Sequence, residues 1–213
     1  MSAQVLTFKL PALSALPLSE QLPVGRLTEI ARVPAGAQLT LAVACVQQAQ
    51  LRGEPVAWLQ LEGGSLYPPD LAESGVDLDA LLIVHVPVHA GRAGLAKAAE
   101  LLLRSGGFGL VVIDLLGSAG EADAQLQLPV QSRLLGLVRE HDSAVLLLSD
   151  GSGGQGHGQD QRSLGPLISL CIEPHRHRIA RGEFVLEPRA RKDKSGSLCA
   201  LASEPRRGPW GLL

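Results

Sequence analysis

The chain has 213 residues, with 19 Lys+Arg against 21 Asp+Glu and a formal net charge of -2, a balance that excludes a generally basic nucleic-acid coat and an acidic disordered tail. Apolar residues make up 46% and charged ones 19%, enough apolar surface for one sizeable core in a single globular domain. Aromatics are only 3%, too sparse for the base-stacking platform of single-strand binders, so RRM-like and OB-like readings are excluded.

In chain order, the first candidate element is Lys9 followed by the apolar stretch Leu10 to Leu18. Pro11 and Pro17 interrupt it and no small-x-small cleavage site follows, so residues 1–22 are expected to form a surface arm and not a signal. From Leu27 onward, short runs rich in Val, Ile and Leu alternate with helical patterns, which predicts an α/β fold with a mostly parallel sheet flanked by helices. The predicted strands are Leu27–Ile30, Pro55–Leu61, Leu81–Val86, Gly109–Asp114 and Ala144–Ser149. Between them Leu39, Ala42, Val43 and Val46, then Leu95, Ala98, Ala99 and Leu102, then Val130, Leu134, Leu137 and Val138 recur at helical spacing. Gly53 and Gly106 mark the ends of the first two helices and Pro129 the start of the third. Apolar runs such as Leu81–Val84 and Leu110–Ile113 are strand-length and fall far short of the roughly 20 residues that cross a bilayer.

After Ser149 the character changes. Five glycines fall between Gly151 and Gly158, which predicts a mobile loop over 151–165. Beyond it, Leu167–Ile172, Glu183–Leu186 and Leu198–Ala202 are expected to form an antiparallel C-terminal extension, followed by a tail over 203–213. The expected organisation is therefore an arm over 1–22, a single domain over 23–202 and that tail. Charge divides along the same line, with a net of -6 over residues 1–170 and +4 over 171–213. Cys45, Cys171 and Cys199 form no CxxC pair or even framework, which fits a reducing cytoplasm and buried apolar cysteines. His85 and His89 are four apart, but Pro87 between them removes the helical geometry a metal pair needs, so no metal is expected.

In an open parallel sheet, ligands bind at the carboxyl ends of the strands, and the loop after the first strand is where phosphates would be cradled. A P-loop reads G-x-x-x-x-G-K-[ST], with small residues for close backbone approach, a Lys for charge and a hydroxyl for magnesium. In that register this chain holds Arg32, Ala37, Gln38 and Leu39, with Gly36 just before. Gln38 supplies no positive charge and Leu39 no magnesium ligand, so no nucleotide cofactor and no enzymatic activity are expected.

Leu22-Pro23-Val24-Gly25-Arg26-Leu27-Thr28-Glu29-Ile30 resembles the start of the ATPase core of the RecA recombinase family. Gly75 to Leu82, Leu103-Arg104-Ser105-Gly106 and Leu110-Val111-Val112-Ile113-Asp114 resemble, in order and spacing, that family's next strand, the end of its next helix and its Walker B strand. The resemblance covers about residues 22–202 and implies a RecA-like fold. Asp114 then matches the Walker B aspartate and Glu62 the glutamate that orients the attacking water, leaving Arg32, Gly36, Ala37, Gln38, Leu39, Glu62 and Asp114 as a relic nucleotide site. Lys192 and Lys194 resemble the pair that reaches a neighbouring subunit's nucleotide, and the Gly-rich loop falls where the recombinase has a DNA-binding loop.

Arg176, Arg178, Arg181, Arg189, Arg191, Lys192, Lys194, Arg206 and Arg207 form a basic C-terminal region suited to DNA phosphates or to an acidic partner. Trp210 adds an interface-type aromatic to the tail. Among RecA-like families without a P-loop, the length and the Leu22–Ile30 stretch look most like the ImuA accessory proteins of a bacterial mutagenic translesion-synthesis complex. That resemblance implies a scaffold induced by DNA damage in the SOS response, cytoplasmic and nucleoid-associated when assembled. Its partners would be the inactive polymerase-like ImuB, an error-prone polymerase or RecA, with any DNA contact weak and the chain monomeric or a small oligomer. The alternatives are a RecA-fold cell-division inhibitor and a DNA-binding recombinase-type ATPase with an unorthodox nucleotide site.

Overall fold

A computed structural model describes residues 22–64, 66–117, 126–150, 163–181, 183–194, 196 and 202–207. Its strands are β1 (Leu27–Ala31), β2 (Val56–Leu61), β3 (Leu81–Val86), β4 (Leu110–Asp114), β5 (Ala144–Ser149), β6 (Leu170–Ala180), β7 (Glu183–Asp193) and β8 (Glu204–Arg207). They form one sheet in the order β3-β2-β4-β5-β1-β6-β7-β8. The five strands expected for the parallel part are all present to within one residue at each end. Their β-branched and leucine runs are apolar on both faces because both faces are covered: every residue of β1, β4 and β5 is buried.

Four helices cover the sheet: α1 (Gln38–Leu51), α2 (Pro68–Glu73), α3 (Gly91–Arg104) and α4 (Leu128–Glu140). On one face Leu41, Ala42, Cys45, Val46 and Ala49 of α1 pack with Leu71 of α2 on Ile30, Trp58, Val112 and Leu146. On the other, Leu95, Ala99 and Leu103 of α3 and Leu134 and Val138 of α4 pack on Leu27, Leu59, Ile113 and Leu147. The helix ends follow the expected punctuation. Gly53 and Gly106 stand just past the C-caps Arg52 and Ser105 with φ of 78° and 65°, a region that costs any residue with a Cβ roughly 1–2 kcal/mol. Pro129 stands in the first turn of α4. Cys45 and Cys171 are buried, as expected, whereas Cys199 lies outside the described residues.

The C-terminal part is the expected antiparallel extension, and its first strand also anchors it to the parallel core: β6 lies beside β1, with Thr28 opposite Leu170 and Ile30 opposite Ile172. Only then does the chain reverse into the long β6–β7 ribbon, with His175 opposite Glu187 and Arg178 opposite Phe184. Each strand runs to 11 residues, longer than the apolar runs Leu167–Ile172 and Glu183–Leu186 suggested, because ladder hydrogen bonds carry it on through a charged stretch. The third expected strand, Leu198–Ala202, falls almost wholly outside the described residues. The strand that follows β7 is instead β8, with Glu183 opposite Arg207, so the sheet extends into the segment read as a tail. No helix among the described residues is long and apolar enough to cross a membrane.

Candidate functional site

The carboxyl ends of β1, β4 and β5 converge with the loop joining β1 to α1, the place where a doubly wound sheet offers a ligand its best field. In that loop Gly36 N donates to Val33 O at 3.0 Å, closing a turn that places Ala35 at φ 54°. Ala37 N donates to Pro174 O of β6 at 3.0 Å. Gly36 is required there, since a Cβ on it would sit 2.9 Å from that same Pro174 oxygen. Two amides of the loop are thus spent on the protein's own carbonyls.

Gln38 opens α1 with its side chain turned back onto the sheet. Its Nε2 donates to Ile30 O at 2.5 Å and to Ser149 O at 2.9 Å, tying together the ends of β1 and β5. The residue is buried, so its amide stands where water would otherwise bond the two strand ends, and Ser149 O also accepts Arg32 N at 2.9 Å. Leu39 packs against the apolar core. Arg32 is mostly exposed and forms a 3.7 Å ion pair with Asp150.

Asp114 ends β4, is buried, and accepts Leu116 N at 3.0 Å. Burial pushes its carboxyl up to about 6, against the lowering effect of the Leu116 hydrogen bond and with help from the nearby Asp150 charge. Asp150 in turn accepts Gly117 N at 3.2 Å. Glu62 lies one residue past the end of β2 and is exposed. The residues expected to form the relic site are therefore gathered at one rim, with Asp114 buried in it and Glu62 at its edge. Among the described residues no group of three or more His, Cys, Asp or Glu is placed to hold a metal ion.

Sequence reasoning missed the buried carboxylate that organises this rim. Glu29 of β1 accepts Ser149 Oγ at 2.7 Å and Leu164 N at 3.0 Å. Beside it the Cys171 thiol is pushed up to about 12 by burial and then by Glu29, which makes it a packing group without nucleophilic character. Gln131 of α4 adds a second clamp, donating to Leu126 O and accepting Leu167 N at 2.9 Å. The only available sequence signal was a lone acid within an otherwise apolar strand, and spacing assigns such a residue no role.

The model of the RecA N-terminal domain family matches residues 12–137, more than half of the chain. The chain belongs to that family. The RecA proteins of Deinococcus radiodurans (34% identical over 131 residues, 59% of this chain and 35% of that protein) and Aquifex pyrophilus (30% over 142 residues, 60% and 40%) are among its relatives. The RecA of Fusobacterium nucleatum is 34% identical over 119 residues, 53% of this chain and 30% of that protein. The match thus spans about a third of the length of these curated RecA proteins. The crystal structure of the RadB recombinase superposes with a TM-score of 0.63 over 87% of this chain and 88% of that one, a likeness of fold at 16% identity.

In this RecA-family chain many of the C-terminal basic residues have partners within the protein. Lys192 Nζ donates to Gly165 O at 3.0 Å and Ser163 Oγ at 3.3 Å, and Lys194 Nζ donates to Pro166 O. The pair therefore pins its own loop root. Burial, and then the neighbouring Lys194 charge, lowers the Lys192 pKa. Arg189 pairs with Glu187 at 2.9 Å and Arg191 with Glu173 at 3.6 Å. Arg176 stacks 5.6 Å from the Phe184 ring centroid, and Arg178 Nε donates to Ala180 O at 3.2 Å. Arg181 follows at the turn of the ribbon, Arg206 and Arg207 lie on β8, and Trp210 is outside the described residues. His175, His177, Glu187, Arg189, Glu173 and Arg191 form an acid-base ladder along one face of this region.

Proposed function

We propose that this chain is a non-catalytic RecA-like accessory protein of damage-induced mutagenic translesion synthesis, of the ImuA type, which recruits polymerase-like partners and makes or breaks no bond. The observation that carries the reading is the closed β1–α1 loop. Phosphoryl transfer needs backbone amides and a cation aimed at the phosphates. Here Gly36 and Ala37 donate their amides inward, and Gln38 spends its side chain on Ile30 O and Ser149 O. The buried acid Asp114 would repel a triphosphate that no Lys neutralises. The function then rests on surface complementarity, with an ImuB-like protein as the partner and the cytoplasm as the compartment.

Thermal unfolding with and without millimolar Mg-ATP tests the first half of this reading. A ligand that binds only the folded state raises its stability by RT ln(1 + [L]/Kd), so the expected result is an unchanged midpoint. A rise of several degrees would overturn it in favour of a recombinase-type ATPase with an unorthodox site. Co-expression with an ImuB-type protein tests the second half. Co-elution without added nucleotide is expected, and separate elution would refute the partner assignment.

A further inference from the structure

The amino ends of the same strands present a different surface. There the last turn of α1, the Gly53–Pro55 connection and the loop from α2 to β3 enclose a cleft of about 540 Å³, lined by Leu51, Glu54, Pro55, Gly75, Asp77 and Ala80 among others. Its walls are fixed by glutamines of α1. Gln50 Nε2 donates to Asp77 O at 2.7 Å while Gln50 Oε1 accepts Asp77 N at 3.0 Å, and Gln47 Nε2 donates to Ser74 O. A cleft held this way is preformed, so a ligand has little ordering cost to overcome.

Two properties of the cleft identify its occupant. The first is apolar: Leu51 is 78% exposed at the cleft, and the loop from α2 to β3 exposes Leu78. The second is charge. In the α1–β2 connection and from Asp70 to Ala80 the chain carries Glu54, Asp70, Glu73, Asp77 and Asp79 against Arg52 alone, all of them exposed. Among the described residues none of these acids forms an ion pair.

We infer that this cleft docks a cationic segment of another protein, one that seats an apolar side chain against Leu51 and flanks it with lysines or arginines. The negative field steers such a segment to the cleft, and the apolar contact holds it. A second copy of this chain fits less well. On the β6–β7 ribbon Arg189 and Arg191 already face Glu187 and Glu173, and Lys192 and Lys194 are committed to the 163–166 loop root. The inference gives the scaffold reading a docking face, yet it stands even if the chain binds nucleotide, because the cleft lies at the opposite end of the strands from the β1–α1 loop.

The test is an NMR titration of the isotope-labelled full chain with a lysine–leucine amphipathic peptide, using its glutamate–leucine counterpart as control. Amide shifts are expected to concentrate at Gln50–Glu54 and Gly75–Ala80, with none from the glutamate peptide. Leu51→Ser, and separately Glu54→Gln with Asp79→Asn, should each weaken binding about tenfold, with affinity falling as salt rises. All three side chains are exposed, so the fold is kept. Shifts mapping to the β6–β7 ribbon, shifts spread evenly over the surface, or full affinity in the Leu51→Ser chain would overturn the proposal. Concentration-dependent self-association abolished by Leu51→Ser would also overturn it, by making a second copy the occupant.

Discussion

The two ends of the parallel strands have been treated in opposite ways. At the carboxyl rim, where this architecture conventionally receives ligands, Gln38, Glu29, Gln131 and Lys192 turn inward and satisfy the protein's own backbone. At the amino rim, glutamines fix the walls of a cleft but leave Leu51 and a run of carboxylates facing water. Polar side chains buried at a rim make it structural, and the same chemistry left exposed makes it available for contact.

The sharpest way to break this contrast is to truncate one acid at each rim. Glu29→Ala leaves Ser149 Oγ and Leu164 N without their acceptor and should cost about 3 kcal/mol in urea unfolding. Glu54→Ala, on the exposed rim, should change stability by less than about 0.5 kcal/mol. Equal costs at the two positions would erase the distinction.

Asp114→Asn is expected to act in the opposite direction. A carboxyl held near 6 in the folded chain and near 3.8 in the unfolded one contributes stability below pH 3.8 that is lost as pH rises through 6. The asparagine variant should therefore be about 2 kcal/mol more stable than the parent at pH 7, with the gain vanishing near pH 4. Thermal melts across that range decide it, and a pH-independent difference would show that the buried charge is not the cause.

Gln38→Ala should destabilise by about 1–2 kcal/mol, because Ile30 O and Ser149 O lose a buried donor. Added Mg-ATP should not restore the loss. The smallest effect is expected on the ribbon, where Arg189→Ala removes an exposed pair with Glu187 and should shift the unfolding midpoint by no more than about 0.5 kcal/mol equivalent. Its affinity for duplex DNA should likewise be indistinguishable from the parent's in a low-salt binding assay.

Periodicity sufficed for the parallel core. Val, Ile and Leu runs such as Leu110–Ile113 and helical spacings such as Leu95, Ala99 and Leu102 admit one arrangement once both sheet faces must be covered. It failed where backbone pairing rather than side-chain burial sustains the strand. His175-Arg176-His177-Arg178 carries no apolar alternation and reads as a basic patch, yet it is paired residue by residue with Phe184 to Glu187. The place of β6 was equally hidden, because a short apolar run does not say whether its neighbour lies parallel or antiparallel. At the carboxyl rim, the P-loop register drew attention to Gln38. Only the three-dimensional contacts reveal it as a crosslink between two strands, and Glu29 has a role defined entirely by residues more than a hundred positions away.

That last separation bears on how the molecule is made. β1 is the first strand of the core to leave the ribosome and the one that sits between β5 and β6, so both of its partners, Val145–Ser149 and Leu170–Ile172, are synthesised long after it. At translation rates of roughly 5–20 residues per second, β1 waits on the order of ten seconds for a neighbour. During that interval the nascent chain displays an unpaired strand, and the sheet closes around it only after Ile172 has emerged. Closing the sheet around β1 is therefore a late, long-range event, of the kind that topology makes slow.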